Sequence, residues 1–164
     1  MTYEVSKECR EAVVADVRAV LQEGKVEAAQ VEATIKQVEE QLAGVGTGIK
    51  KVSGSIDCSA TECHVNLEVF EGTANGRFKS GQADVVDGLL LNLIPCFVKG
   101  TSTRFRIRLA GNQVTIVFYN NKEVSPFRLH ALFCGRLSCP LEGEGIGTGH
   151  WSSDFGPFKI NSSG

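Results

Sequence analysis

The chain has 164 residues, 42% of them apolar and 22% charged, with a formal net charge of −2. That length suits one domain with an appendage, and it buries about 70% of the unfolded surface, so a core needs neither a metal nor a disulfide to exist. The small net charge argues against nucleic acid, which wants a basic face, and no run approaches the apolar length of a membrane span.

The first residues, Met1-Thr2-Tyr3-Glu4-Val5-Ser6-Lys7-Glu8, are charged and lack an apolar h-region, so no signal peptide is expected in them. Residues 6–22 read as a helix. Ser6 is a natural N-cap, Val13, Val17, Val20 and Leu21 share a face with Val14 beside them, and Gly24 is a stop. A second helix is expected from about Val26 to Ala43. Its Val31, Ile35, Val38 and Leu42 follow a 4-3-4 spacing, a narrow stripe of coiled-coil type. A short turn with Gly24 joins the two into an αα-hairpin. The plain expectation is a hairpin that zips against itself and packs loosely on a β domain; the sharper one is self-association or partner binding through the helix pair.

Helix signals stop at Gly44-Val45-Gly46-Thr47-Gly48, a flexible joint. Short strands are expected near Ile49–Asp57, Cys63–Glu71, Asn75–Gln82, Val85–Ile94, Thr103–Ala110, Gln113–Asn120, Val124–Leu137 and Gly145–Ser153. Gly72, Gly81, Gly100, Gly111 and Asn120-Asn121 read as turns, and Asp87-Gly88 interrupts the fourth segment or opens a short helix through Leu89-Leu90-Leu91. The clearest stretch is Arg104–Tyr119. Phe105, Ile107 and Leu109 alternate with Arg104, Arg106 and Arg108, the period of a half-buried strand. Gly111-Asn112 reads as a type II′ hairpin loop, which would set Leu109 opposite Val114, Ile107 opposite Ile116 and Phe105 opposite Phe118. An even set of antiparallel strands with nothing to cover its edges is best satisfied by closure. The expected architecture is therefore mainly β: an αα-hairpin over residues 1–44, an eight-stranded antiparallel barrel over 45–153 and a tail over 154–164.

Six cysteines exceed what a reducing compartment requires and leave a secreted state open. Cys58 and Cys63, and Cys134 and Cys139, form two x4-spaced pairs with His64 and His130 nearby. Structural zinc prefers tighter knuckles; if the chain is secreted, local disulfides are the better reading of these four, with Cys58 and Cys63 placed to bridge the first hairpin, and buried free thiols are the alternative. Cys96, in the apolar segment Ile94-Pro95-Cys96-Phe97, reads as a buried thiol. The run Gly143-Glu144-Gly145-Ile146-Gly147-Thr148-Gly149 lacks the Lys-Ser/Thr and the helix of a phosphate loop, and its glycines suit a strand that bends or lies close to a neighbour. No cofactor or metal motif is left.

His150, Trp151 and Asp154 mix a base, a carboxylate and an aromatic, but no nucleophile is placed beside them. The plainer reading is a Trp151 that plugs the barrel end. Arg104, Arg106 and Arg108 line one strand face, and Arg77 and Lys79 alternate around Phe78. Such a stripe suits an anionic surface, although a solvated strand face is the simpler account.

Gly76-Arg77-Phe78-Lys79-Ser80-Gly81, Val114–Asn121, Gly135-Arg136-Leu137-Ser138 and the Gly143–Trp151 run together resemble the virulence-associated protein (Vap) family of pathogenic actinobacteria over about two-thirds of the chain. The family's ending is similar: a G-x-x-S segment, a Gly-rich run and a terminal Trp. The resemblance implies a closed eight-stranded barrel of Greek-key type, and a secreted, non-enzymatic effector acting on a host or competitor cell, with a membrane surface or a host protein as partner. The readings it competes with are a barrel that holds a small apolar ligand and an enzyme that uses the His150–Asp154 region.

Overall fold

The computed structural model describes residues 6–43, 49–93, 102–120 and 128–152. Helix α1 spans Lys7–Glu23 and starts at Ser6, whose hydroxyl accepts the Cys9 N–H at 3.2 Å. Gly24 ends it, but the left-handed residue of the turn is Lys25, at φ 59°. Helix α2 spans Ala28–Ala43, and Val31, Ile35, Val38 and Leu42 are all buried, as their spacing predicts.

Among the described residues six strands come after the helices: β1 Ile49–Cys58, β2 Glu62–Leu67, β3 Phe70–Phe78, β4 Gly81–Asn92, β5 Ser102–Tyr119 and β6 Leu129–Trp151. They run antiparallel in the order β3-β2-β1-β4-β6-β5, and a further β3–β6 pairing joins the first strand of that order to β6 and closes a barrel. The eight segments expected from sequence are thus six continuous strands. Gly72 lies inside β3 rather than at a turn, Asp87-Gly88 is a bulge within β4, and residues 121–127 lie outside the described set.

The expected hairpin at Gly111-Asn112 is absent, because β5 runs through it. Leu109 pairs with Gly143 and Val114 with Gly135, both on β6. Gly111 is left-handed, at φ 66°, but it makes a corner and not a reversal. Opposite it, β6 passes from Leu141 to Arg136 with four residues that have no partner on β5, Pro140 among them, and the Asn112 side-chain amide donates to the Leu137 carbonyl at 3.1 Å. Both long strands therefore bend at one place. Each half of β6 keeps β5 on one side and takes a different second neighbour: β4 along Ala131–Leu137, and β3 along Gly143–Trp151. Alternation fixed the face of each β5 residue correctly, since Phe105, Ile107, Leu109, Val114, Ile116 and Phe118 are all buried.

The barrel axis is filled. Val52, Ile56, Val65, Leu67, Phe70, Phe105, Ile116, Phe118, Phe133 and Trp151 belong to one buried cluster. The Gly-rich run lets β6 approach β3 across this core: a Cβ at Gly149 would lie 2.5 Å from the Phe70 ring, and one at Gly72 would lie 2.8 Å from the Phe105 ring.

A second core lies outside the barrel. The apolar faces of α1 and α2 cover Leu91, Val117, Tyr119, Leu129 and Leu132, so the hairpin does not sit loosely. Every residue from Val114 to Tyr119 is buried, which explains why this half of β5 is apolar on both faces while Arg104–Leu109 alternates. Within this second interface Asp16 of α1 is 3% exposed. Its carboxylate accepts from the Arg108 guanidinium at 2.9 Å and from the Thr115 hydroxyl, which satisfies a charge that would otherwise oppose burial. Cys9 of α1 is bonded to Cys134 of β6, with Cα atoms 6.1 Å apart.

Candidate interaction surface

The helices cover one side of the barrel and leave the opposite outer face open. Outward residues there line up across the sheet. Gln82, Asp57, His64, Thr73, Thr148 and Arg104 form one row, and Asp84, Ser55, Asn66, Glu71, His150 and Ser102 form the next. A groove of about 530 Å³ runs over this facet, lined by Asp57, His64, Asn66, Glu71, Thr73 and His150 among others. Its side chains are held by each other. His64 Nδ1 and Thr73 Oγ1 are 3.0 Å apart, His64 Nε2 is 4.0 Å from Glu62 and His150 Nε2 is 3.8 Å from Glu71. At the facet's margin Glu68 accepts from the Ser53 N–H at 2.6 Å and the Ser53 hydroxyl at 3.0 Å, and these bonds hold its carboxyl below the usual range.

The arginine row marks the seam between this facet and α1. Arg106 is shared between Glu23 of α1 at 3.4 Å and Glu144 of β6 at 3.2 Å, and Arg108 is bound to Asp16. Two of the three arginines of this row thus pair with acidic residues of the docked helix. Among the described residues no ion pair engages Arg77 or Lys79, which are exposed at the end of β3. The sequence reading missed Asp16 and Glu23. Asp16 had a signal: it falls on the helical face of Val13, Val17 and Val20, where a carboxylate needs a partner.

The cysteines sort differently from expectation. Cys134 bonds to Cys9 and not to Cys139, which is exposed and free. The reason is direction: Cys134 points to the helix-covered side, among the second core. Cys58 and Cys63 face each other as free thiols, and Cys96 lies outside the described residues. The four cysteines considered for zinc do not converge, and among the described residues no three of His, Cys, Asp and Glu gather as a metal site needs.

Trp151 ends β6 buried in the aromatic cluster, 4.9 Å from the Phe70 ring and 5.0 Å from Phe118, and its indole N–H donates to the Thr103 hydroxyl at 2.9 Å. The near carboxylate of His150 is Glu71; Asp154 lies outside the described residues.

The molecule is a closed antiparallel β-barrel with a packed interior and two helices docked on its outside. No protein-family model matches the chain, and no curated protein matches it. Among solved structures it is similar to the virulence-associated protein VapD from the intracellular pathogen Rhodococcus equi, with 18% identity and a TM-score of 0.53 over 63% of this chain and 96% of that one. It is also similar to VapB from the same organism, with 20% identity and a TM-score of 0.49 over 64% of this chain and 96% of that one. The barrel has a Vap-like fold, and more than a third of the chain has no counterpart in the VapD structure.

Proposed function

We propose that this chain is a virulence-associated, effector-like barrel that acts without catalysis, through contacts of its outer surface with a host or competitor cell. The observation that carries this reading is the filled axis. Phe70, Phe105, Phe118, Phe133 and Trp151 occupy the space that a lipocalin-like carrier would leave for a small apolar ligand, which weighs against the ligand-binding alternative. Contact with a partner then falls to the outside, and the polar facet beside His64 and His150 is the outer face the helices leave open. The Vap-like fold supports the same reading. Counted by straight segments, with each long strand divided at its bend, the barrel reads as eight-stranded, and the order β4-β1-β2-β3 has the Greek-key sense. Residues 1–44 then form an appended helical module, 45–153 the barrel and 154–164 a tail. The Cys9–Cys134 bond fits a secreted protein.

Vesicle flotation tests the membrane form of this contact. At low salt the protein is expected to rise with vesicles containing anionic lipid and to stay down with neutral ones. Arg77→Glu with Lys79→Glu should weaken the association, as should added salt. Protein that remains at the bottom with every composition would remove the membrane as partner. Catalysis through His150 is tested separately: any activity toward a host component that disappears in His150→Ala and survives in Arg77→Glu would overturn the non-enzymatic reading.

A further inference from the structure

Cys58 and Cys63 belong neither to the facet nor to the helix clamp. They are the last residue of β1 and the second of β2, and they are directly opposed in the ladder. The Ser59 N–H donates to the Glu62 carbonyl at 2.9 Å, so the hydrogen-bonded pair is one step nearer the turn and Cys58–Cys63 is the closer, non-hydrogen-bonded kind. Both side chains point inward, 5% and 0% exposed, and the sulfurs are 3.3 Å apart. A bond between them requires an approach of little more than an ångström to the length of about 2.05 Å.

We propose that Cys58 and Cys63 are a reversible dithiol–disulfide pair, closed by thiol–disulfide exchange with a small-molecule disulfide of the glutathione class. In the first step the Cys58 thiolate attacks one sulfur of the oxidant, forming a mixed disulfide and expelling one small thiolate. In the second the Cys63 thiolate attacks the Cys58 sulfur, forming the cross-strand bond and expelling the second. The protein loses two protons and two electrons, and one disulfide becomes two thiols. The roles follow from position. Cys58 is the less enclosed, and the hydrogen bond between the sulfurs holds it below the ordinary thiol range, while the same bond and burial push Cys63 up. Access comes through the exposed turn at 59–62, tied to β3 by the Gly76 N–H to Thr61 carbonyl and Phe78 N–H to Ala60 carbonyl bonds, both 3.0 Å. The bridge closes a loop of only a few residues, whereas Cys9–Cys134 spans a separation of 125. It therefore restrains the unfolded chain far less, and the pair opens under milder reductant.

The test is a glutathione titration of the native protein carrying Cys139→Ser, quenched by alkylation and mapped by mass spectrometry. Trypsin leaves both cysteines in the fragment Val52–Arg77. That fragment is expected to escape alkylation at both cysteines and to weigh two hydrogens less than its unalkylated dithiol form. The ratio of closed to open form should rise about tenfold for each tenfold rise in oxidised glutathione over the square of reduced glutathione. Its midpoint should lie at a more oxidising ratio than that of Cys9–Cys134. Cys63→Ser should accumulate a glutathione adduct on Cys58, and Cys58→Ser should leave Cys63 unmodified. A fragment that keeps both thiols at every ratio at which Cys9–Cys134 is formed, or one linked to another cysteine instead, would overturn the proposal. An adduct found on Cys63 and not on Cys58 would do the same.

Discussion

Trp151→Ala is expected to destabilise the protein by about 3–5 kcal/mol, measured by urea unfolding followed in the far-ultraviolet. Trp151 is fully buried and pairs with Phe70, the first residue of β3, so it sits where the last strand closes on the third. Phe70 is the hub of the cluster: its ring meets Phe118 at 4.8 Å and Phe105 at 5.4 Å, both edge to face. Truncation leaves a void against two aromatic rings, in a wall whose backbone is held by the β3–β6 ladder and cannot collapse freely. It also takes the indole donor away from Thr103, which is 3% exposed. Trp151→Phe keeps most of the volume and should cost roughly 1–2 kcal/mol, mainly for the lost hydrogen bond. A loss below about 1 kcal/mol for the alanine variant would mean that this end of the barrel is not packed as described.

Removing the Cys9–Cys134 bond, by Cys9→Ser with Cys134→Ala, is expected to cost about 2–5 kcal/mol. The bond links residues 125 apart, so the unfolded chain gains much freedom when it is cut. The damage should be local. Helix α1 would still hold Asp16 against Arg108 and Thr115, Glu23 against Arg106, and its apolar face against Val117 and Leu132. Hydrogen exchange in Lys7–Glu23 should therefore speed up while the interior strands keep their protection. Unchanged stability together with unchanged exchange in α1 would show that the bond does not clamp the helix.

The helices were readable because a helix declares its buried face by spacing. Ser6, and the stripe of Val31, Ile35, Val38 and Leu42, lie where expected. The barrel strands were readable for faces and not for neighbours. Period two says that Phe105 and Ile107 look inward, but a Gly147 or Gly145 opposite them leaves no side-chain signature to pair with. Gly111-Asn112 has the residues of a reversal and makes a corner, because the choice depends on the matching excursion at 138–140 of a strand far along the chain. The arginine row was visible, yet its partners Asp16 and Glu23 sit some eighty to ninety residues away on a helix, beyond any local pattern. Cys9 carried a faint signal, one turn before Val13 on the buried face of α1. Cys58 and Cys63 were brought together by a short turn, the kind of contact a sequence states directly.

The most direct test of a closed, solid barrel is a nuclear Overhauser spectrum of the backbone. Closure predicts cross-strand contacts between Phe70–Phe78 and Gly143–Trp151 in the register Ala74 to Gly147 and Thr73 to Thr148, and between Val114 and Gly135 with none between Leu109 and Val114. If the first set is missing, or Leu109 meets Val114 as in a tight hairpin, the sheet is open and the filled interior on which the surface-acting role depends is lost.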